Sequence, residues 1–139
     1  KVKKQISNKK KQNVYLLLYK YLKKLIVYLL MDINKCQIIF VDVDDTICYY
    51  DFERNGKAVD YSLAKPHNDR IKRINELYDN GKTIIYWTAR GTKTGKLWFN
   101  TTLKQLNDWG CKFHELRMGK PAYDLFIDDK NINSETFFS

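Results

Sequence analysis

Ile38-Ile39-Phe40-Val41-Asp42-Val43-Asp44-Asp45-Thr46-Ile47 is an unbroken apolar run that ends abruptly in three carboxylates. Four apolar residues without polar alternation predict a strand buried on both faces, as in a parallel sheet covered by helices. Strands of that kind deliver function at their carboxyl ends. Asp42 and Asp44 stand where the chain leaves the sheet, and their i, i+2 spacing keeps both near one pocket if the strand stops being regular there.

Outward from this stretch, residues 48–61 are rich in aromatics and centre on Arg54-Asn55-Gly56-Lys57. Asn-Gly between two such runs predicts a β-hairpin, a flap beside the carboxylates with Tyr49, Phe52 and Tyr61 as candidates for its inner face. Pro66 is suited to the first turn of a helix carrying Ile71, Ile74, Leu77 and Tyr78 at 3-4 spacing and followed by Gly81. Residues 82–88 read as a second buried strand ending in Thr88-Ala89-Arg90-Gly91. Residues 97–109 read as a helix with Leu103, Leu106, Trp98 and Phe99 inward, stopped by Gly110. A short strand over 112–116 follows, then a turn at Met118-Gly119-Lys120-Pro121 and a last strand over 123–127 that ends in Asp128-Asp129. This order predicts an α/β, three-layer Rossmann-like fold with a mostly parallel sheet and a β-hairpin flap after strand 1.

Charge separates the chain into two parts. Of the 25 basic residues, nine lysines lie in residues 1–31 with no acid, leaving 16 basic against 16 acidic residues in the remainder. The pI of 9.4 therefore reflects the N-terminal segment, and the domain itself carries no strong nucleic-acid signal. Residues 1–13 are lysine-rich and aperiodic and are expected to be disordered. Residues 14–30 alternate apolar runs with Lys20, Lys23 and Lys24 on one helical face. Ten Leu, Ile and Val residues contribute roughly −3 to −6 kcal/mol to insertion and three central lysines cost roughly +8 to +10, so spanning a bilayer is disfavoured and peripheral membrane contact stays open. Met31, just ahead of the buried run, suggests that residues 1–30 are an extension to a domain covering 31–139. Three cysteines without a CxxC pair fit a reducing, cytoplasmic setting and speak against a structural zinc site.

Three strand ends carry polar groups: Asp42 and Asp44; Thr88 with Arg90; Asp128 and Asp129, with Lys120 just before the last strand. In a parallel sheet these ends share one side. Two carboxylates about 4 Å apart repel by roughly 4 kcal/mol at an effective dielectric of 20, so gathered acids call for a cation. An all-oxygen donor set suits Mg²⁺, which binds one or two carboxylates together with waters and a substrate phosphate.

Asp42-Val43-Asp44-Asp45-Thr46, Thr88, Lys120 before Pro121, and Asp128-Asp129 resemble the four motifs of the haloacid dehalogenase superfamily of phosphatases. With Thr88-Ala89-Arg90, Gly119-Lys120-Pro121 and Ile127-Asp128-Asp129, residues 36–138 resemble its small capsule-biosynthesis-type members. The resemblance implies that Asp42 is the nucleophile, forming an aspartyl-phosphate, and that Asp44 is the general acid and then base. It implies that Thr88 and Lys120 hold phosphoryl oxygens and that Thr46 braces the loop or meets substrate. Mg²⁺ would be bound by Asp42, the backbone carbonyl of Asp44, and Asp128, with Asp129 beside it. An acid of raised pKa is needed at Asp44, and crowding by Asp42 and Asp45 would supply it. Asp45 departs from the commoner glycine. The stretch between Asp44 and Thr88 holds only a flap and a helix, so no large cap domain is expected.

The expected activity is Mg²⁺-dependent hydrolysis of a small phosphorylated substrate, a sugar phosphate or similar metabolite of polysaccharide biosynthesis. A nucleotide or polynucleotide 3′-phosphatase, and a non-catalytic binding module, are the alternatives. Several residues keep two readings. Arg90 is either a substrate contact or half of an ion pair with an acid such as Asp129. Lys93 and Lys96 compete with Lys120 but read as surface residues, His67 and His114 lie away from the strand ends, and Cys48 lacks a nearby base.

Overall fold

The structure, a computed structural model, describes residues 12–19, 21–22, 33–52 and 59–139. The expected disorder over 1–13, the lysine face at Lys20, Lys23 and Lys24, and the Asn55-Gly56 turn lie wholly or largely outside them. The chain divides into two units, residues 1–35 with Ser139, and residues 36–138. In the first, residues 12–19 and 21–22 are helical, and apolar side chains from Val14 to Leu22 are exposed. No helix among the described residues is long and apolar enough to cross a membrane.

The second unit is built on a parallel three-stranded sheet. Its strands are β1 (Ile38–Val41), β4 (Thr83–Trp87) and β5 (Glu115–Arg117), in the order β1-β4-β5. Phe40 pairs with Ile85, and Tyr86 pairs with both Val41 and Leu116. A separate antiparallel pair joins β2 (Cys48–Tyr49) to β3 (Lys65–Pro66). Helices α1 (Asn68–Asp79), α2 (Phe99–Asp108) and α3 (Ser134–Phe138) complete the unit. The result is a Rossmann-like α/β fold with a mostly parallel sheet and, among the described residues, no large cap domain.

Side-chain alternation along each strand divides the sheet into two faces. Val41, Ile84 and Tyr86 form one buried cluster with Ile71 and Ile74 of α1 and Leu106 of α2, against which Leu77, Tyr78, Phe137 and Phe138 pack. The 3-4 spacing read from the sequence thus gives α1 its inward stripe. The central strand β4 is the one buried on both faces. β1 is an edge strand, and Ile38 and Phe40 are exposed where the sequence predicted full burial.

Three further expectations are corrected. Pro66 does not open a helix; it pairs with Cys48 at a sheet edge, where its missing N–H costs nothing, and α1 begins after His67. The antiparallel pair that stands beside the acidic loop is only two residues long on each side. Residues 123–127 form no strand; Leu125 and Ile127 are 75% and 88% exposed. Lys120 is fixed at the carboxyl edge of the sheet by its N–H to the Thr88 carbonyl (3.0 Å), and the residues after it form no ladder with β1, β4 or β5.

After Val41 the chain wraps around one carbonyl. Val43 O accepts from the N–H groups of Thr46 (3.3 Å), Ile47 (3.0 Å) and Cys48 (3.2 Å). This tight loop puts Asp45 at φ 57°, a left-handed conformation that Asp tolerates and glycine adopts freely. The choice of residue at position 45 is therefore a backbone matter. Asp45→Val should lower unfolding free energy in urea by about 1–2 kcal/mol, whereas Asp45→Gly should cost nothing or stabilise slightly; equal losses in both would refute a backbone origin.

Candidate active site

Asp42 and Lys120 meet at the carboxyl end of β1. Lys120 Nζ lies 3.1 Å from Asp42 Oδ2, with side chains 12% and 35% exposed respectively. The ammonium also lies over the Tyr123 ring, 5.3 Å from its centroid. Lys96, a rival by sequence, instead stacks over Trp98 at 4.2 Å. Burial pushes the Asp42 carboxyl above its ordinary pKa, and the charge and hydrogen bond of Lys120 only partly offset it. The folded state thus holds the Asp42 proton more tightly than the unfolded chain does, so ionising Asp42 subtracts stability as pH rises past the ordinary carboxylate range.

Asp44 is held quite differently. Arg90 binds it with two nitrogens, Nη2 at 2.8 Å from Oδ1 and Nε at 3.0 Å from Oδ2. The Tyr50 hydroxyl donates to Oδ1 at 2.6 Å, Thr88 Oγ1 lies 3.4 Å from Oδ2, and the Cys48 thiol lies 3.6 Å from Oδ1. Every neighbour is a donor. Burial pushes the Asp44 carboxyl up, but the hydrogen bonds and charge of Arg90, with those from Tyr50 and Cys48, outweigh it and leave the pKa below the ordinary value. The expectation of a raised pKa at Asp44 is therefore inverted, because a guanidinium faces it and Asp42 is occupied by Lys120.

Arg90 is 2% exposed and is supported from behind by α2. Its Nη1 donates to Thr102 Oγ1 (3.1 Å) and to Gln105 Oε1 (2.6 Å), and its guanidinium lies over the Tyr61 ring at 5.0 Å. Gln105 in turn donates to the Tyr61 carbonyl at 2.7 Å. Arg90 forms an ion pair, and its partner is Asp44 instead of Asp129. Gly91 follows at φ 82°, where a Cβ would stand 2.2 Å from the Lys96 carbonyl oxygen, so only glycine lets the chain turn directly after Arg90.

The remaining candidates are placed as follows. Thr88 is fully buried; its hydroxyl also accepts the Arg90 N–H at 3.1 Å. The Thr46 carbonyl accepts from Arg70 Nη1 at 3.1 Å, and Arg70 also pairs with Glu135 at 2.6 Å, tying the acidic loop to α1 and α3. Asp128 is exposed and accepts from the Lys130 N–H at 2.7 Å, with exposed Asp129 in the same turn. Among the described residues no group of three or more His, Cys, Asp or Glu side chains is arranged to hold a metal ion. Cys48 is buried and its thiol is pushed strongly upward by burial and by Asp44, which rules against a thiolate nucleophile. His67 stacks on Tyr49 at 4.7 Å, and His114 accepts the Ile84 N–H at 3.2 Å.

Tyr50, Thr102 and Gln105 were not singled out by the sequence. Thr102 and Gln105 carried a signal: at i, i+3 they flank Leu106 on the inward stripe of α2, and polar groups there require a buried partner.

No family model and no curated protein matches the chain. A solved structure of an MCSG target from Vibrio cholerae is similar to it, with 24% identity and a TM-score of 0.62 over 74% of this chain and 88% of that one. That likeness supports the fold.

Arg90→Met should destabilise the protein by about 3–5 kcal/mol at neutral pH, because it strands a buried carboxylate. The depressed pKa of Asp44 contributes stability above the unfolded value that is lost as pH falls through the folded one. In the variant the buried, unpaired Asp44 carboxyl is pushed upward instead and takes up a proton as pH falls, so its deficit should shrink in urea titrations as pH drops from 7 towards 3.5; a deficit independent of pH would show that the loss is one of packing alone.

Proposed function

We propose that this protein is a Mg²⁺-dependent phosphomonoester hydrolase of the haloacid dehalogenase type, working through an aspartyl-phosphate on Asp42. The observation that carries the reading is the pairing of Asp42 with the Lys120 ammonium at 3.1 Å, two residues from a second carboxylate kept in a separate hydrogen-bond shell. The two acids at this strand end are kept electrically distinct, Asp44 against the Arg90 guanidinium and Asp42 against the Lys120 ammonium.

In this reading an Asp42 carboxylate oxygen attacks phosphorus while the bond to the leaving oxygen breaks, and that oxygen takes its electron pair and a proton from Asp44. Water then attacks the same phosphorus, Asp44 takes the water's proton, and Asp42 leaves as carboxylate. Lys120 offsets the negative charge gathered on the phosphoryl oxygens. Clamped by Arg90, Asp44 rests in the form ready for the second step, and must acquire a proton for the first.

An oxygen-only donor set fits a hard divalent cation, since Mg²⁺ takes as few as one or two carboxylates beside phosphate and water. Asp42 and the Asp44 backbone carbonyl would hold it, and it would neutralise phosphate charge when bound. Asp128 and Asp129 are the further ligands that the family resemblance suggests. The same resemblance favours a sugar phosphate or similar small metabolite of polysaccharide biosynthesis as substrate.

The purified chain should hydrolyse p-nitrophenyl phosphate with Mg²⁺ and stop when the cation is chelated. Asp42→Asn should lose about 10³-fold or more in kcat, as expected when a covalent nucleophile is removed. An Asp42→Asn variant with wild-type turnover would end this reading.

A further inference from the structure

We propose that Tyr50 is a positioning residue for Asp44, fixing the carboxylate rotamer that serves the leaving oxygen; this rests on the phosphatase reading above. Three atoms form a triangle. Arg90 Nη2 lies 2.8 Å from Asp44 Oδ1 and 3.5 Å from the Tyr50 oxygen, and that hydroxyl lies 2.6 Å from the same Oδ1. The geometry sets the direction of each bond. A guanidinium only donates, so the Tyr50 oxygen accepts from Arg90 and directs its own proton to Asp44.

The two donors do different work. Arg90 is immobilised from α2 by Thr102 and Gln105 and grips both carboxylate oxygens, which fixes the plane of the group. Tyr50 follows directly after β2 (Cys48–Tyr49) and engages Oδ1 alone. With both in place, Oδ1 meets Arg90 Nη2 (2.8 Å), Arg90 Nε (3.1 Å), the Tyr50 hydroxyl (2.6 Å) and the Cys48 thiol (3.6 Å), whereas Oδ2 meets only the shared Arg90 Nε (3.0 Å) and Thr88 Oγ1 (3.4 Å). Tyr50 supplies the shortest of the Oδ1 contacts, deepens the inequivalence of the two oxygens, and in this proposal leaves Oδ2 to exchange a proton with the substrate or water. The Tyr50 ring itself packs against Phe52, 5.5 Å between centroids, so the hydroxyl can be deleted without removing the ring contact.

A leaving-group comparison separates positioning from mere structure. Proton delivery matters for an alkyl leaving oxygen and little for p-nitrophenolate, which departs unaided. Tyr50→Phe should lower kcat/KM for glycerol 2-phosphate by about thirtyfold and for p-nitrophenyl phosphate by about threefold, so the ratio between the two shifts about tenfold. In an Asp44→Asn background the same substitution should produce no further shift in that ratio. Equal losses on both esters, or a full additional shift in the Asp44→Asn background, would overturn the proposal while leaving the phosphatase reading intact. Absence of Mg²⁺-dependent hydrolysis by the wild type on either ester would overturn both.

Discussion

The buried contact between Arg90 and Asp44 is the constraint on which the rest of the site depends. Breaking it would leave a carboxylate with 15% of its side chain exposed facing a guanidinium site with none, and removing one partner of such a pair is among the costlier single changes a small domain can suffer. The fold is arranged to keep the pair satisfied. Thr102 and Gln105 hold the far side of the guanidinium, Tyr61 lies under its face, and Gly91 permits the turn that brings it inward. Asp44 is delivered by a loop wound on the Val43 carbonyl. Two carboxylates two residues apart are thus kept electrically distinct: Asp44 belongs to Arg90, and Asp42 to Lys120.

That division explains the opposite pKa shifts without any difference in sequence neighbourhood. Both acids follow the same strand and both are desolvated. Arg90 offers two nitrogens and is joined by Tyr50, enough to reverse the burial effect at Asp44. Lys120 offers one ammonium and leaves burial dominant at Asp42. A carboxylate whose charge is incompletely compensated is a suitable partner for a divalent cation and for a phosphoryl group, which is why the phosphatase reading centres on Asp42.

How far the sequence revealed this varies element by element. β4 was legible because a central parallel strand needs apolar residues on both faces, and α1 because its inward stripe repeats at 3-4 spacing. β1 was over-read, since an edge strand with one open face looks the same as a buried one when four apolar residues run together. Residues 123–127 were misread as a strand because an apolar run does not by itself encode strand pairing. Among site residues, Asp42, Thr88 and Lys120 stood out since they lie at or near the ends of apolar runs. Tyr50 and Gln105 did not, because their partner Arg90 is 40 and 15 residues away in the chain and only the packing of α2 against the acidic loop brings them together.

The central claim is that Asp42 becomes covalently phosphorylated. Acid-quenching the protein during turnover of a phosphate-labelled monoester with Mg²⁺, followed by peptide mapping, tests it most directly. The account predicts an acid-stable, hydroxylamine-labile phosphoryl group on the peptide containing Asp42, absent from Asp42→Asn. Turnover of the ester with the label on a different residue, or with a product stereochemistry at phosphorus that shows a single direct displacement by water, would contradict it.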